Sequence, residues 1–136
     1  MNSIVDIIRT FDGLLFLEAV SDEDIEKAEF LLSVSFAPEY KKYTSTFGAV
    51  AYGGKEFTGV VQPPHLNVVT VTEAARKITP QASPDWYVVM DPHFDGIIIW
   101  QDKDGIIYQT DPGKETKKAA ESLAEYMLEA SKEVEL

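Results

Sequence analysis

The chain has 136 residues, 45% of them apolar and 26% charged, and no cysteine. That length fits one domain able to bury about two thirds of the surface its unfolded chain exposes, and the missing thiols exclude disulfides and thiolate metal sites. Twelve Lys and Arg face 23 Asp and Glu, a net charge of −11; such a surface repels phosphate backbones, argues against nucleic-acid binding and speeds encounter with a basic protein.

Met1-Asn2-Ser3 lacks the positive start of an export signal, and Asp6 interrupts the apolar run after it. No stretch approaches the ~18 apolar residues of a membrane helix. A cysteine-free chain also leans towards a reducing compartment. The expectation is a soluble, cytoplasmic protein with no membrane partner.

Ile4, Val5, Ile7, Ile8 and Phe11 recur at helical spacing, and Gly13 is placed to end that helix. Leu14 to Leu17 is a short apolar run, a strand or a packed connection. Ser21 is a good N-cap for a second helix: Asp22, Glu23 and Asp24 fill its first turn, where the helix dipole favours negative charge, and Ile25, Ala28 and Leu32 form its apolar stripe. Pro38 suits the first position of a third helix carrying Tyr40, Tyr43 and Phe47, which Gly48 ends in a left-handed conformation.

The period then changes. Tyr52-Gly53-Gly54-Lys55 reads as a turn and Phe57 to Val61 as a strand. Val68 and Val69 form a short apolar segment, and Thr70 with Glu73 makes a capping box that opens a helix through about Ile78. Trp86 to Met90, Gly96 to Gln101 and Ile106 to Thr110 read as strands, the last two joined by a hairpin turn at Asp102-Lys103-Asp104-Gly105. After Asp111-Pro112-Gly113 a long helix is expected, with Ala119, Ala120, Leu123, Tyr126, Met127 and Ala130 on its apolar face. Helices, a meander of strands and a closing helix make an α+β domain with a mostly antiparallel twisted sheet.

The residues offer little catalytic chemistry. His65 and His93 are the two histidines, no serine sits in a Gly-x-Ser-x-Gly setting, and neither phosphate-binding glycine pattern occurs. Asp91, His93, Asp95, Gly96 and Asp102 mimic the spacing of a calcium loop, and a metal-dependent enzyme built on Asp91, His93 and Asp95 is one reading. Histidine is a poor ligand for a hard cation, Ile97 to Trp100 look like a strand and the flanking helices are missing, so a turn-rich connection is the better account. No catalytic residue, metal or cofactor is assigned, and the expectation is a binding protein, not an enzyme.

Asp85, Asp91, Asp95, Asp102, Asp104 and Asp111 crowd one stretch that holds a single base, Lys103. Together they suggest an acidic rim on the loops of the sheet, able to receive a basic protein surface. Tyr52, Phe94 and Trp86 lie beside turns, and aromatic side chains are enriched among interface anchors. The partner-binding candidates are therefore Tyr52, Phe94, Asp91, Asp95, Asp102 and Asp104.

The segment Ser21-Asp-Glu-Asp-Ile-Glu-Lys-Ala-Glu29, the pair Leu31-Leu32, Pro38-Glu39-Tyr40-Lys41 and Phe47-Gly48 together resemble the opening of the Smi1/Knr4 (SUKH) superfamily. Val68 to Arg76, Asp95-Gly96 before a strand, the following hairpin and a last helix opening towards Ser122-Leu123 are similar too, so the likeness spans about residues 20 to 130 of a single 1–136 domain. Ala37 stands where the family usually has leucine, and the tryptophan often found near its N-terminus is missing. The resemblance implies an α+β fold with N-terminal helices and a C-terminal helix packed on the sheet, and no catalytic residues. It implies one of two roles: a bacterial immunity protein that neutralises a cognate toxin domain, many of these being basic nucleases, or a regulatory scaffold like the fungal members.

Overall fold

The computed structural model describes residues 3–132. The first helix, α1 (Ile4–Ile8), is capped by Ser3, whose side chain accepts from the Asp6 N–H at 3.3 Å. It stops short of the expected end at Gly13, because Phe11 leaves the helical face to pack on Tyr52 with ring centroids 4.3 Å apart. The chain then forms β1 (Leu15–Phe16), α2 (Asp22–Leu32) and α3 (Pro38–Phe47). Both expected caps of these helices occur: Ser21 accepts from the Asp24 N–H at 3.2 Å, and Pro38 opens α3. Gly48 ends α3 with φ +74° and ψ −79°, a positive φ but not the expected left-handed helical geometry. Thr44 holds it from both sides, its carbonyl accepting from the Gly48 N–H at 2.8 Å and its hydroxyl donating to the Gly48 carbonyl at 2.7 Å.

β2 (Val50–Tyr52) pairs antiparallel with β1 and with β3 (Lys55–Glu56), giving a small sheet of order β1-β2-β3. The strand expected over Phe57 to Val61 does not form. Phe57 and Thr58 are buried, and their polar groups are claimed from elsewhere. The Tyr43 hydroxyl donates to the Thr58 carbonyl at 2.6 Å, and the Thr58 N–H bonds the Val89 carbonyl at 2.9 Å. Thr58 Oγ1 donates to the Val88 carbonyl at 2.7 Å, so the Tyr40 hydroxyl, 2.9 Å away, is the donor to Thr58 Oγ1.

α4 (Val68–Ile78) begins earlier than the Thr70–Glu73 pair predicts. Asn67 is the N-cap, its Oδ1 accepting from the N–H groups of Val69 and Thr70 at 2.9 and 3.1 Å, which draws both valines into the helix. At its other end, Arg76 Nη2 donates to the carbonyls of Leu32, Pro84 and Trp86, tying α4 to the end of α2 and to the next strand.

The second sheet is an antiparallel meander, β4 (Tyr87–Met90), β5 (Ile98–Gln101), β6 (Ile107–Thr110) and β7 (Lys117–Ala120), in that order. The turn after β5 is built as expected, with Asp102 Oδ1 accepting from the N–H groups of Asp104 and Ile106 at 3.0 Å each. The expected long helix divides: residues 117–120 extend the meander as an edge strand, and α5 (Leu123–Lys132) starts after it. The helical run of Lys and Ala here yields to the unpaired edge of β6, and Lys117 and Lys118 are exposed on an edge that lysine keeps soluble.

One face of the larger sheet packs Val88, Ile98 and Trp100 against Ala75 of α4. The other packs Tyr87, Val89, Ile99 and Ile107 against Ile8, Tyr40, Tyr43, Leu123 and Met127. The result is an α+β layer arrangement, with α4 on one side of the antiparallel sheet and α1, α3 and α5 on the other.

Candidate interaction surface

The most perturbed titratable groups lie inside. Burial pushes the phenols of Tyr40, Tyr43, Tyr52 and Tyr87 above their ordinary value. All four are engaged in structural hydrogen bonds. Tyr87, for example, accepts from the Ala37 N–H at 2.9 Å and donates to Gln101 Oε1 at 2.8 Å. Gln101 Nε2 in turn donates to Glu39 at 2.7 Å and to the Gly105 carbonyl at 3.1 Å. This satisfied network cements the fold.

Tyr52 corrects one expectation. It is 3% exposed, and its hydroxyl donates to the Met127 carbonyl at 3.0 Å, so it is a core residue and no exposed anchor. Trp86 is half-buried, stacked on Tyr108 with ring centroids 4.2 Å apart and planes 7° from parallel. Phe94, in contrast, is 63% exposed. The backbone presents it: His93 (φ +55°) and Asp95 (φ +53°) flank it in the left-handed region, and Asp91 Oδ1 caps the His93 N–H at 2.9 Å.

The single acidic rim is also corrected. Because the meander alternates direction, its acids fall at opposite ends. Asp91, Asp95 and Asp111 lie where β4 ends, β5 begins and β6 ends, and there Gly96 abuts Pro112, whose Cγ would be 2.7 Å from an added Cβ. Asp85, Asp102 and Asp104 lie at the other end, a four-residue strand or roughly 13 Å away. The same topology removes Asp102 from the calcium-like spacing, since β5 intervenes. Among the described residues, no group of three His, Asp or Glu side chains stands close enough to hold a metal ion. His93 Nδ1 is 3.7 Å from Asp91, and His65 Nε2 is 3.5 Å from Glu56.

A further feature of the surface was not among the sequence candidates. A groove of about 650 Å³ runs between α2, the start of α4 and two connecting segments, 17–20 and 60–63. Leu17, Leu31, Val60, Val61 and Val69 line it, with Glu18, Asp24 and Lys27 at its rim. Leu31 is 56% exposed and Leu17 40%. Beside Leu17, the edge residues Leu15 and Phe16 are exposed as well. The signal was present in Phe30-Leu31-Leu32: three consecutive apolar residues on one helix cannot all face the same core. Leu32 is buried, whereas Phe30 and Leu31 are not.

Two glycines bring the groove's connecting segments together. A Cβ on Gly48 would lie 2.4 Å from the Glu18 carbonyl oxygen, and one on Gly59 would lie 1.7 Å from the Gly48 carbonyl oxygen. Segments 17–20 and 59–61 therefore meet backbone to backbone across Gly48, an approach that side chains would block.

Among the described residues, no helix is long and apolar enough to cross a membrane. No curated protein matches the sequence. A family model does: SUKH_5, described as SMI1-KNR4 cell-wall, matches residues 1–132 and so takes in α1 as well as the segment that carried the resemblance. Matched over nearly its whole length, and folded as an α+β domain with the helices and antiparallel strands laid out above, the chain belongs to the SMI1-KNR4 (SUKH) family.

Proposed function

We propose that this protein is a non-enzymatic binder that neutralises a basic toxin domain, acting as an immunity protein of a bacterial toxin system. The observation that carries the reading is the combination of a net charge of −11 with large apolar side chains left open on a rigid frame, among them Phe94 at 63% exposure and Leu31 at 56%. A protein interface draws its affinity from a few desolvated apolar anchors and its association rate from complementary charge. The acids steer a basic partner, and the exposed anchors hold it. The location of such a complex is the cytoplasm, where a toxin delivered from outside would act.

The test is co-expression with the C-terminal domain of any large protein encoded immediately upstream. A stoichiometric complex and rescue of growth support the reading. Toxicity undiminished by this chain, with both proteins folded, contradicts it.

Membership of the SMI1-KNR4 family also supports a second reading, a regulatory scaffold with several weaker partners like the fungal members. One tight partner of nuclease type separates the first reading from this one.

A further inference from the structure

The groove between α2 and α4 has two unlike sides. Glu18 and Asp24 stand on the side of α2, where Asp22 and Glu23 add to the acidic first turn and Lys27 is the one base in the lining. The opposite lining, Val60 to Pro63 and Asn67 to Thr70, carries no ionisable side chain. Between them, apolar side chains from four separate segments remain open. A ligand matched to this surface has one apolar face and one cationic flank.

We propose that the groove seats an amphipathic, basic segment of a protein partner. Its apolar side chains rest on Leu31, Val60 and Val61, and its Lys or Arg side chains face Glu18 and Asp24. Charge selects this occupant over the others. A second copy would bring the same acids against themselves at −11 per chain, and nucleic acid or an anionic lipid surface would meet like charge. The amphipathic segment docking in an apolar groove is a recurrent mode of recognition, with the main anchors buried and the rim setting specificity. The close backbone approach at Gly48 and Gly59 holds together two of the segments that line the groove, 17–20 and 60–63. The proposal rests on the partner-binding reading and deepens it by naming where and what kind of segment binds.

The probe is a short synthetic helical peptide of leucine and lysine, compared with the same peptide carrying glutamate for lysine. Amide chemical shifts of the isotopically labelled full chain report where it binds. The lysine peptide is expected to move signals from residues 17–20, 24–31 and 60–70, and the glutamate peptide to move none of them. Leu31→Glu, and separately Glu18→Lys with Asp24→Lys, are expected to weaken lysine-peptide binding at least about tenfold. Ile78→Glu, at an exposed apolar position on the far end of α4, is expected to leave it unchanged.

Shifts confined to another surface, equal response to both peptides, or a Leu31→Glu protein that folds and binds like the parent would overturn the proposal. So would self-association through the groove, seen as a dimer by sedimentation that Leu31→Glu abolishes. The peptide result is independent of any toxin. A toxin complex insensitive to Leu31→Glu removes the groove and leaves the immunity reading, whereas peptide binding without toxin neutralisation does the reverse.

Discussion

The Glu39 carboxylate, at the start of α3, accepts from the backbone N–H groups of Leu123 and Ala124, 84 and 85 positions further along the chain. It thereby caps α5 from outside, supplying an anion where the helix dipole is positive. The same carboxylate receives Gln101 Nε2 at 2.7 Å, so one side chain ties α3, the larger sheet and the last helix together.

Glu39→Ala is expected to cost about 2–3 kcal/mol, because it removes a charged acceptor and leaves donors unpaired. Glu39→Gln keeps one acceptor oxygen and is expected to lose about half as much. Urea unfolding of the three proteins measures both, and equal stability would show that α5 is capped without Glu39.

Alkaline pH is expected to unfold the chain through its buried phenols. Burial raises the folded-state values of Tyr40, Tyr43, Tyr52 and Tyr87 above the ordinary 10.0. In the folded state these groups therefore hold their protons more tightly than in the unfolded state. The stability they confer is full below about pH 10 and falls as pH rises towards the folded values. Absorbance of phenolate followed together with circular dichroism checks this: the four should ionise with the loss of structure, not before it.

Gly59→Ala is expected to destabilise strongly, by about 3 kcal/mol or more, since its Cβ would stand 1.7 Å from the Gly48 carbonyl oxygen and only backbone movement can relieve that. Gly54→Ala meets nothing within 4 Å and bears a φ of +78°, so its cost is expected to be about 1 kcal/mol. Thermal melting of both variants gives the comparison; similar small losses would show that the backbone contact under the groove is loose.

The fold was legible where local chemistry decides it. Ser21 before three acids, Pro38 before a tyrosine stripe, and Asp102 with Gly105 in a hairpin each announce a structure that depends on near neighbours. It was misread where distant groups decide. Phe57 to Val61 has the composition of a strand, but the Tyr43 hydroxyl from α3 takes the Thr58 carbonyl that a neighbouring strand would have bonded. Lys117 to Ala120 has helical propensity, but the free edge of β6 captures it. The site followed the same division. Phe94 was visible as an aromatic among turn residues. The groove was not, because its lining comes from four segments far apart in sequence that only the folded chain brings together.

The separation of the acids makes a prediction of its own. Charge reversal at Asp91 and Asp95 removes acids from one end of the larger sheet, and reversal at Asp102 and Asp104 from the other. One pair is expected to slow association with a basic toxin domain by about tenfold at low salt, and the other to change it little. Stopped-flow rates for the two double variants check this, and equal slowing by both would mean that net charge alone steers the encounter.

The central claim, that this chain acts by binding a basic protein, is tested most directly by calorimetric titration of the purified toxin domain with the purified chain at low and at high salt. The account predicts a one-to-one complex whose affinity weakens as salt screens the charges. Absence of binding heat at either salt, with both proteins folded and the domain toxic in cells, would contradict it.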